Sequence, residues 1–185
     1  DARKLGHKSL AVNLSDMAAM GATPKWALLA GALPDADPAW LGAFARGFYA
    51  LADAHGVDLV GGDTARGPLN LCVTILGEVP AGQALLRSGA MPGDDVYVSG
   101  ALGDAALALA AVGGRVQLVG DALAAAQTRL EAPVPRVALG LALRGVATAA
   151  IDVSDGLIGD LAHILERSAA GAMLELAAIP RSPAL

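Results

Sequence analysis

The segment Ile151–Leu157 (Ile-Asp-Val-Ser-Asp-Gly-Leu) constrains the fold most, because it joins a strand-like run to a helix-like run. Residues 146–151 are apolar or small and predict the end of a buried strand, while apolar residues recur at helical spacing from Leu157 onward. Asp155 occupies the position of a helix N-cap. Two interpretations are open: Asp155 caps the helix while Asp152 is solvated, or both carboxylates bind a charged ligand.

Composition indicates a globular chain. Hydrophobic residues make up 55% of the 185 residues and the mean hydropathy is +0.53. Asp, Arg or Gly nevertheless interrupts every apolar run before the roughly 20 residues that a membrane span needs. The run 137–151 comes closest, and it contains Arg144. Since no signal-peptide pattern is present, we expect a cytoplasmic protein that does not bind membranes.

Charge and cysteine content argue against further classes of function. A net charge of -5 and an aromatic content of 3% provide neither a basic surface nor stacking platforms for nucleic acid, so we expect no nucleic-acid partner. The single cysteine, Cys72, excludes an intramolecular disulfide and argues against a thiolate metal site. It lies in an alternating strand pattern, which predicts a buried structural thiol.

The first predicted helix, residues 9–20, carries an unusual polar stripe. Its apolar face consists of residues at helical spacing: Leu10, Leu14, Met17 and Ala18. Ser9, Asn13 and Asp16 follow one another at spacings of four and three on the other side. Asn and Asp are poor helix formers, and an exposed face more often carries Lys, Glu or Arg. We therefore favour a functional role for Asp16 over a simple exposed face.

The remainder of the first half predicts strands around one helix. We expect a strand at 26–33, a helix at 39–55 and strands at 57–64 and 69–79. The last two should pair directly as a hairpin through residues 65–68. His55 ends the helix, where a cation suits the helix dipole. The glycines Gly61 and Gly62 before Asp63 allow a backbone to approach phosphate oxygens closely.

Glycine and proline residues mark a linker at residues 80–92, which contains an isolated cation, Arg87. We place a boundary near residue 85, giving an N-terminal domain at 1–84 and a C-terminal domain at 85–185. Asp104 is expected to cap a helix. The second half predicts the following elements in order: a strand at 95–99, helices at 105–112, 121–131 and 135–147, and a last strand at 171–179.

Four aspartates stand near the edges of regular elements, each within two residues of Gly, Ser or Asn: Asp16, Asp63, Asp152 and Asp155. Such all-oxygen ligands suit Mg²⁺, which is usually bound by carboxylates together with substrate phosphates. Phosphoryl transfer depends on neutralising and positioning charge, which aspartates holding Mg²⁺ on a triphosphate supply. Arg87 offers a fork geometry for phosphate oxygens. Neither Gly-x-x-x-x-Gly-Lys-Ser/Thr nor Gly-x-Gly-x-x-Gly is present.

In five blocks the chain closely resembles the thiamine-monophosphate kinase family. In order along the chain they are Ala11–Ala22, Leu59–Thr64, Leu85–Ala90, Val98–Asp104 and Ile151–Leu157. The aspartates, glycines and ATP are shared with a wider superfamily that includes aminoimidazole ribonucleotide synthetase, selenophosphate synthetase and a hydrogenase maturation factor. The blocks around Asp16 and Arg87 are those that favour the thiamine enzyme.

The resemblance implies ATP-dependent phosphorylation of thiamine monophosphate to thiamine diphosphate by direct, Mg²⁺-assisted transfer. It implies that the four aspartates bind Mg²⁺ and that Gly62, Asp63, Arg87 and Ser154 contact the nucleotide. No catalytic residue is certain, and Asp155, acting through the metal, is the best candidate. The implied fold is α/β (α+β), a two-domain aminoimidazole ribonucleotide synthetase-like fold. Its N-terminal sheet domain forms a homodimer and its C-terminal α/β domain covers the ATP.

The resemblance also implies segments beyond both ends of these 185 residues, which carry further metal-binding acids and substrate contacts in the family. We therefore expect a polypeptide that holds much of the Mg-ATP site without a complete thiamine pocket, inactive or poorly active by itself. Two alternatives stay open. One is another ATP-using member of the superfamily, and the selenium enzyme is disfavoured because Cys72 lies in a strand. The other is a nucleotide- or metal-binding module without turnover.

Overall fold

The computed structural model describes residues 1–185. Its elements in chain order are α1 (Ala2–Ala19), β1 (Thr23–Leu33), α2 (Pro38–His55), β2 (Asp58–Arg66), β3 (Asn70–Glu78), α3 (Asp104–Val112), α4 (Gly120–Glu131), α5 (Val137–Ala142), α6 (Leu157–Ser168) and a 3-10 turn at Leu176–Ala178. Every predicted helix is present, although α1 begins earlier and α5 is shorter than expected. None of the helices combines the length and apolarity needed to cross a membrane.

The chain divides into two units. The first comprises Asp1–Ala84 together with Val134–Val146, and the second comprises Leu85–Pro133 together with Ala147–Leu185. The segment 134–146, which the sequence assigned to the C-terminal domain, thus belongs to the first unit. Arg144 fixes it there, because its guanidinium donates to the carbonyl of Gly21 and to the hydroxyl of Thr23. The division into domains 1–84 and 85–185 stays a prediction for the whole protein.

The sheet of the first unit has the strand order β2-β1-β3. β1 is parallel to β2 and antiparallel to β3, so the predicted direct pairing of β2 with β3 as a hairpin is wrong. Helix α2 connects the parallel strands β1 and β2, as a parallel pair requires a long crossover. The chain then turns past the end of β1, where Gly67 N donates to the carbonyl of Leu33 (2.9 Å), and β3 pairs on the other side.

One face of this sheet is covered and the other is open. Leu71, Val73 and Ile75 of β3 pack against the core, while the alternating residues between them, including Cys72, are exposed. The predicted buried position of Cys72 is therefore wrong. The alternation was correct, but it placed the cysteine on the outer face. That face also carries exposed apolar side chains: Trp26, Leu28, Val60 and Leu76.

Helices α1 and α2 form the core with the inner face of the sheet. Leu10 and Leu14 of α1 and Phe48 of α2 are almost completely buried, and Phe44 and Leu51 of α2 lie in the same core. The two helices approach so closely that a Cβ on Gly6 would overlap the backbone of α2, and one on Gly47 would overlap that of α1. Asp37 caps α2 at its N-terminus and Gly56 ends it in the left-handed conformation.

The second unit contains helices without a regular sheet. The strands predicted at 95–99, 146–151 and 171–179 are not formed, and Leu176–Ala178 is a 3-10 turn. Pairing is limited to local contacts, such as Ala150 N donating to the carbonyl of Leu86 (2.9 Å) and the isolated bridge between Leu102 and Arg181. A regular strand needs a neighbour that pairs with its backbone groups along its length, and these segments have only the local pairing given above.

Asp104 is the first residue of α3 rather than its cap. Gly103 occupies the N-cap position, and no side chain there bonds the helix amides. Asp104 is instead buried and accepts a hydrogen bond from the hydroxyl of Ser182. Its predicted role as a cap is thus wrong. The carboxylate connects α3 to the last residues of the chain.

Candidate functional site

Asp63 is positioned by a bulge in β2. Ala27 pairs with Leu59 but Leu28 pairs with Gly61, so Val60 is the extra residue. Gly62 then adopts a φ of 149°, and a Cβ at this position would overlap the backbone of Leu29. Only glycine lets β2 approach β1 this closely.

Downstream of the bulge, Asp63 lies opposite Ala30 of β1, and both residues are exposed on the open side of the sheet. The Asp63 carboxylate accepts a hydrogen bond from the amide of Thr64 (2.8 Å). Backbone pairing therefore fixes where this carboxylate emerges.

Asp16 lies on the exposed side of α1, near its C-terminal end. The other two members of the polar stripe are bonded within the helix. The Ser9 hydroxyl donates to the carbonyl of Gly6 (3.0 Å), and the Asn13 amide donates to the carbonyl of Ser9 (2.8 Å). Those bonds give Ser9 and Asn13 a structural role, and Asp16 is the exposed member of the stripe.

The turn before α6 is organised by a residue that the sequence interpretation missed, Asp160. Its carboxylate is buried, with 4% of the residue exposed. One oxygen, Oδ2, accepts from the amides of Ser154 (2.9 Å), Asp155 (3.1 Å) and Gly156 (3.1 Å). An acidic residue in the first helical turn that reaches back to preceding amides resembles a capping box, and that pattern was the available signal.

Asp155 is not a helix cap. Gly156 occupies the N-cap position without a side-chain hydrogen bond, and Asp160 already accepts the amides of the turn. The predicted role of Asp155 as a helix cap is therefore wrong, while its role as a ligand stays a prediction. Asp155 and Ser154 are exposed, and Asp152 is half-buried. The structure thus brings these three predicted site residues together at one turn.

Arg87 lies in a loop held by the other end of α6. The hydroxyl of Ser168, the last residue of the helix, accepts from the amides of Gly89 and Ala90 (3.2 Å each) and donates to the carbonyl of Arg87 (3.3 Å). The Arg87 side chain is exposed. A helix of 12 residues is about 18 Å long. The loop of Arg87 and the turn of Asp155 are therefore anchored at opposite ends of one rigid element.

Known proteins match both the sequence and the fold of this chain. The family model for the AIR synthase related protein, N-terminal domain, matches residues 1–79. The thiamine-monophosphate kinase of Salmonella typhimurium is 50% identical over 100% of this chain and 57% of its own length. A crystal structure of thiamine-monophosphate kinase from Stenotrophomonas maltophilia is 50% identical, with a TM-score of 0.95 over 99% of this chain and 60% of that one.

This chain is homologous over its whole length to thiamine-monophosphate kinases. It spans little more than half the length of the relatives it matches. A further relative, AaThiL complexed with AMPPCP and TMP, is 30% identical with a TM-score of 0.83 over 91% of this chain and 54% of its own. The α+β fold expected from the sequence is thus confirmed.

The side chains of this chain provide few ligands for a hard cation within either unit. Within neither unit do three His, Cys, Asp or Glu side chains come together to hold a metal ion. Mg²⁺ bound to a nucleotide needs only one or two carboxylates, because phosphate oxygens and waters complete its shell. Asp152 and Asp155, three residues apart at one turn, fit that smaller requirement.

Proposed function

We propose that this chain forms the nucleotide- and metal-binding part of an enzyme that phosphorylates thiamine monophosphate with ATP. The observation that carries the proposal is 50% identity with a thiamine-monophosphate kinase over the whole chain. The neighbour complexed with AMPPCP and TMP supports it through its fold. Because the chain spans 57% of that kinase, the complete reaction is proposed for the whole protein.

The proposed reaction transfers the γ-phosphoryl group of ATP to a phosphate oxygen of thiamine monophosphate. The bond from the γ-phosphorus to the bridging oxygen breaks, the new phosphorus–oxygen bond forms, and ADP and thiamine diphosphate are the products. Direct transfer needs positioning and charge neutralisation more than a covalent nucleophile. Bound Mg²⁺ would neutralise the phosphate charge, and Asp16, Asp63, Asp152 and Asp155 are the residues proposed to hold it.

The nucleotide contacts proposed for this chain use both backbone and side chains. The close approach of β2 to β1 at Gly62 fixes the backbone before Asp63, and the Ser154 hydroxyl is exposed beside Asp155. The exposed Arg87 guanidinium has five N–H donors in a fork that matches phosphate oxygens.

A homodimer is also part of the proposal. The open face of the three-stranded sheet exposes Trp26 (41%), Leu28 (38%), Val60 (57%) and Leu76 (44%). A contiguous apolar face of this kind marks an interaction surface, and a second copy of the same face is a self-complementary partner. We expect Leu28→Glu to yield monomers in light scattering and to increase alkylation of Cys72 on the same face. An unchanged molar mass and unchanged alkylation of Cys72 in Leu28→Glu would contradict this interface. Cytoplasmic location stays a prediction.

The kinase proposal is tested with the whole protein, ATP, Mg²⁺ and thiamine monophosphate. We expect thiamine diphosphate to form and Asp155→Asn to weaken Mg²⁺-dependent ATP binding in titration calorimetry, by about tenfold or more, because a charged ligand is lost. Asp121→Asn is the matched control. Asp121 is an exposed aspartate in the first turn of α4 in the same unit, and its loss should leave ATP binding unchanged.

The outcomes separate this proposal from its alternatives. Mg²⁺-dependent ATP binding with turnover of another acceptor in a panel would identify a different enzyme of the superfamily. Binding without turnover of any acceptor would indicate a nucleotide-binding module. ATP binding that is indifferent to Mg²⁺ would overturn the proposed role of the aspartates in all three cases.

A further inference from the structure

We infer that Asp160 is a positioning residue for the site, resting on the proposed function. Its buried carboxylate fixes the backbone of residues 154–156, so that Ser154 and Asp155 point their side chains to the surface for the metal-bound nucleotide. Asp160 itself does not reach the ligand, since it is 4% exposed and turned toward the turn's amides.

The geometry distinguishes this role from ordinary capping. A cap satisfies helix amides, but two of the three donors to Asp160 Oδ2 belong to Ser154 and Asp155, which precede the N-cap Gly156. Three successive N–H groups that converge on one point form an anion-binding nest. Here the protein's own carboxylate fills that nest, with charge-assisted bonds of 2.9 to 3.1 Å.

Filling the nest decides which kind of ligand the turn accepts. A phosphate oxygen cannot use the amides of residues 154–156, because Asp160 already occupies them. The Ser154 hydroxyl and the Asp155 carboxylate are exposed at this turn, and the Asp152 carboxylate is half-buried beside them. With the buried charge of Asp160 beneath them, these carboxylates favour a cation. Nucleotide phosphates therefore meet this turn through a metal ion and the Ser154 hydroxyl rather than through backbone amides.

The test compares Asp160→Asn with wild type in the whole protein. The amide side chain has a similar shape but is neutral and carries donors of its own. We expect faster hydrogen exchange at the amides of 154–156 and Mg²⁺-dependent ATP affinity lowered about 10- to 100-fold, the usual cost of losing support behind a metal ligand. Asp37→Asn removes a capping carboxylate from α2 and serves as the control, with unchanged ATP affinity.

A double-mutant cycle separates positioning from general stability. If Asp160 acts through Asp155, the double variant loses less Mg²⁺-dependent ATP binding free energy than the sum of the losses in Asp160→Asn and Asp155→Asn. A merely structural role gives additive losses of that free energy. Should Asp160→Asn fail to fold, Asp160→Glu keeps the charge, displaces it by one methylene and should show a smaller loss of the same sign.

Two results would overturn the inference: wild-type ATP affinity in Asp160→Asn with accelerated exchange at 154–156, or additivity in the cycle. An unaffected Asp155→Asn variant would instead overturn the proposed function.

Discussion

The candidate site residues of the two units are held in place by different means. Asp63 in the first unit is placed by sheet pairing, with the bulge at Val60 and the close approach at Gly62. The turn of Ser154 and Asp155 in the second unit has no strand beside it and is held by a single carboxylate oxygen of Asp160. Backbone geometry fixes the first part, and polar side chains fix the second.

This difference predicts where the site tolerates substitution. Sheet pairing uses backbone groups that every residue provides, so β2 tolerates changes wherever a side chain has space. A turn that depends on one buried acceptor loses its geometry when that acceptor is removed, because several amides then lack partners together. We expect the first unit to be sensitive at its glycines and the second at its buried polar residues.

Gly62→Ala is expected to have the largest effect. The substitution places a Cβ against the backbone of Leu29 and forces a non-glycine residue to a φ of 149°. Backbone strain of this kind costs about 1 to 3 kcal/mol, and the overlap with a neighbouring strand adds to it. We expect a loss of at least about 3 kcal/mol in the free energy of unfolding of the first unit, measured by chemical denaturation.

Gly61→Ala is the matched control. A Cβ at Gly61 would meet only the side-chain tip of Leu28, at 3.4 Å, and its φ is not in the positive region. The change should stay within about 0.5 kcal/mol. Equal losses at the two glycines would mean that the register between β1 and β2 is not fixed by the close approach at Gly62.

The same contrast explains which features were predictable from the sequence. Helix α2 was predictable because Asp37, Pro38 and Gly56 mark its ends locally. The family and its fold followed from ordered blocks of residues. The partner of β3 was not predictable, because alternation shows that a segment is a strand without identifying its neighbour. The face on which Cys72 emerges depends on the same missing information.

The prediction that Asp155 caps α6 was wrong for a related reason. Asp155 has the residue type and position of a cap, and propensity favours it. The competing acceptor, Asp160, lies five residues later, and only the bent backbone brings it beneath the turn. Sequence spacing does not show which side chains of a helix's first turn face back toward the preceding residues. The burial of Asp160 beneath the turn was therefore not predictable.

Ser168→Ala tests the second unit at the other end of α6, with an intermediate effect. The amides of Gly89 and Ala90 lose their acceptor, and the carbonyl of Arg87 loses a donor. We expect a loss of about 1 kcal/mol and faster hydrogen exchange at residues 87–90. Thr128→Ala removes a hydroxyl that bonds Ala124 within α4 and should change neither quantity measurably. Unaltered exchange in Ser168→Ala would show that this loop, like β2, is held by its backbone.

The smallest expected effect is a difference in how the two units respond to acid. Burial, with a smaller contribution from the nearby charge of His7, lowers the pKa of His55 from its ordinary 6.5 in the first unit. The neutral form is therefore favoured in the fold, which opposes the cationic role expected at this helix end. Hydrogen bonds from Met91 N and the Thr148 hydroxyl lower the pKa of Asp94 from 3.8 in the second unit.

Both shifts have the same sign for stability but act in different pH ranges. Below pH 6.5 the unfolded chain protonates His55 before the folded chain does, so the first unit loses stability as pH falls through the lowered pKa. Asp94 stabilises the second unit above pH 3.8, and that contribution is lost only as pH falls through its own lowered pKa. We expect His55→Gln to reduce the pH dependence of the free energy of unfolding of the first unit between about pH 5 and 7, measured by denaturation with local hydrogen exchange. His163→Gln, at an exposed histidine of α6, provides the comparison. An unchanged slope in His55→Gln would mean that the acid response of the first unit arises from its carboxylates, and the two units would then titrate alike.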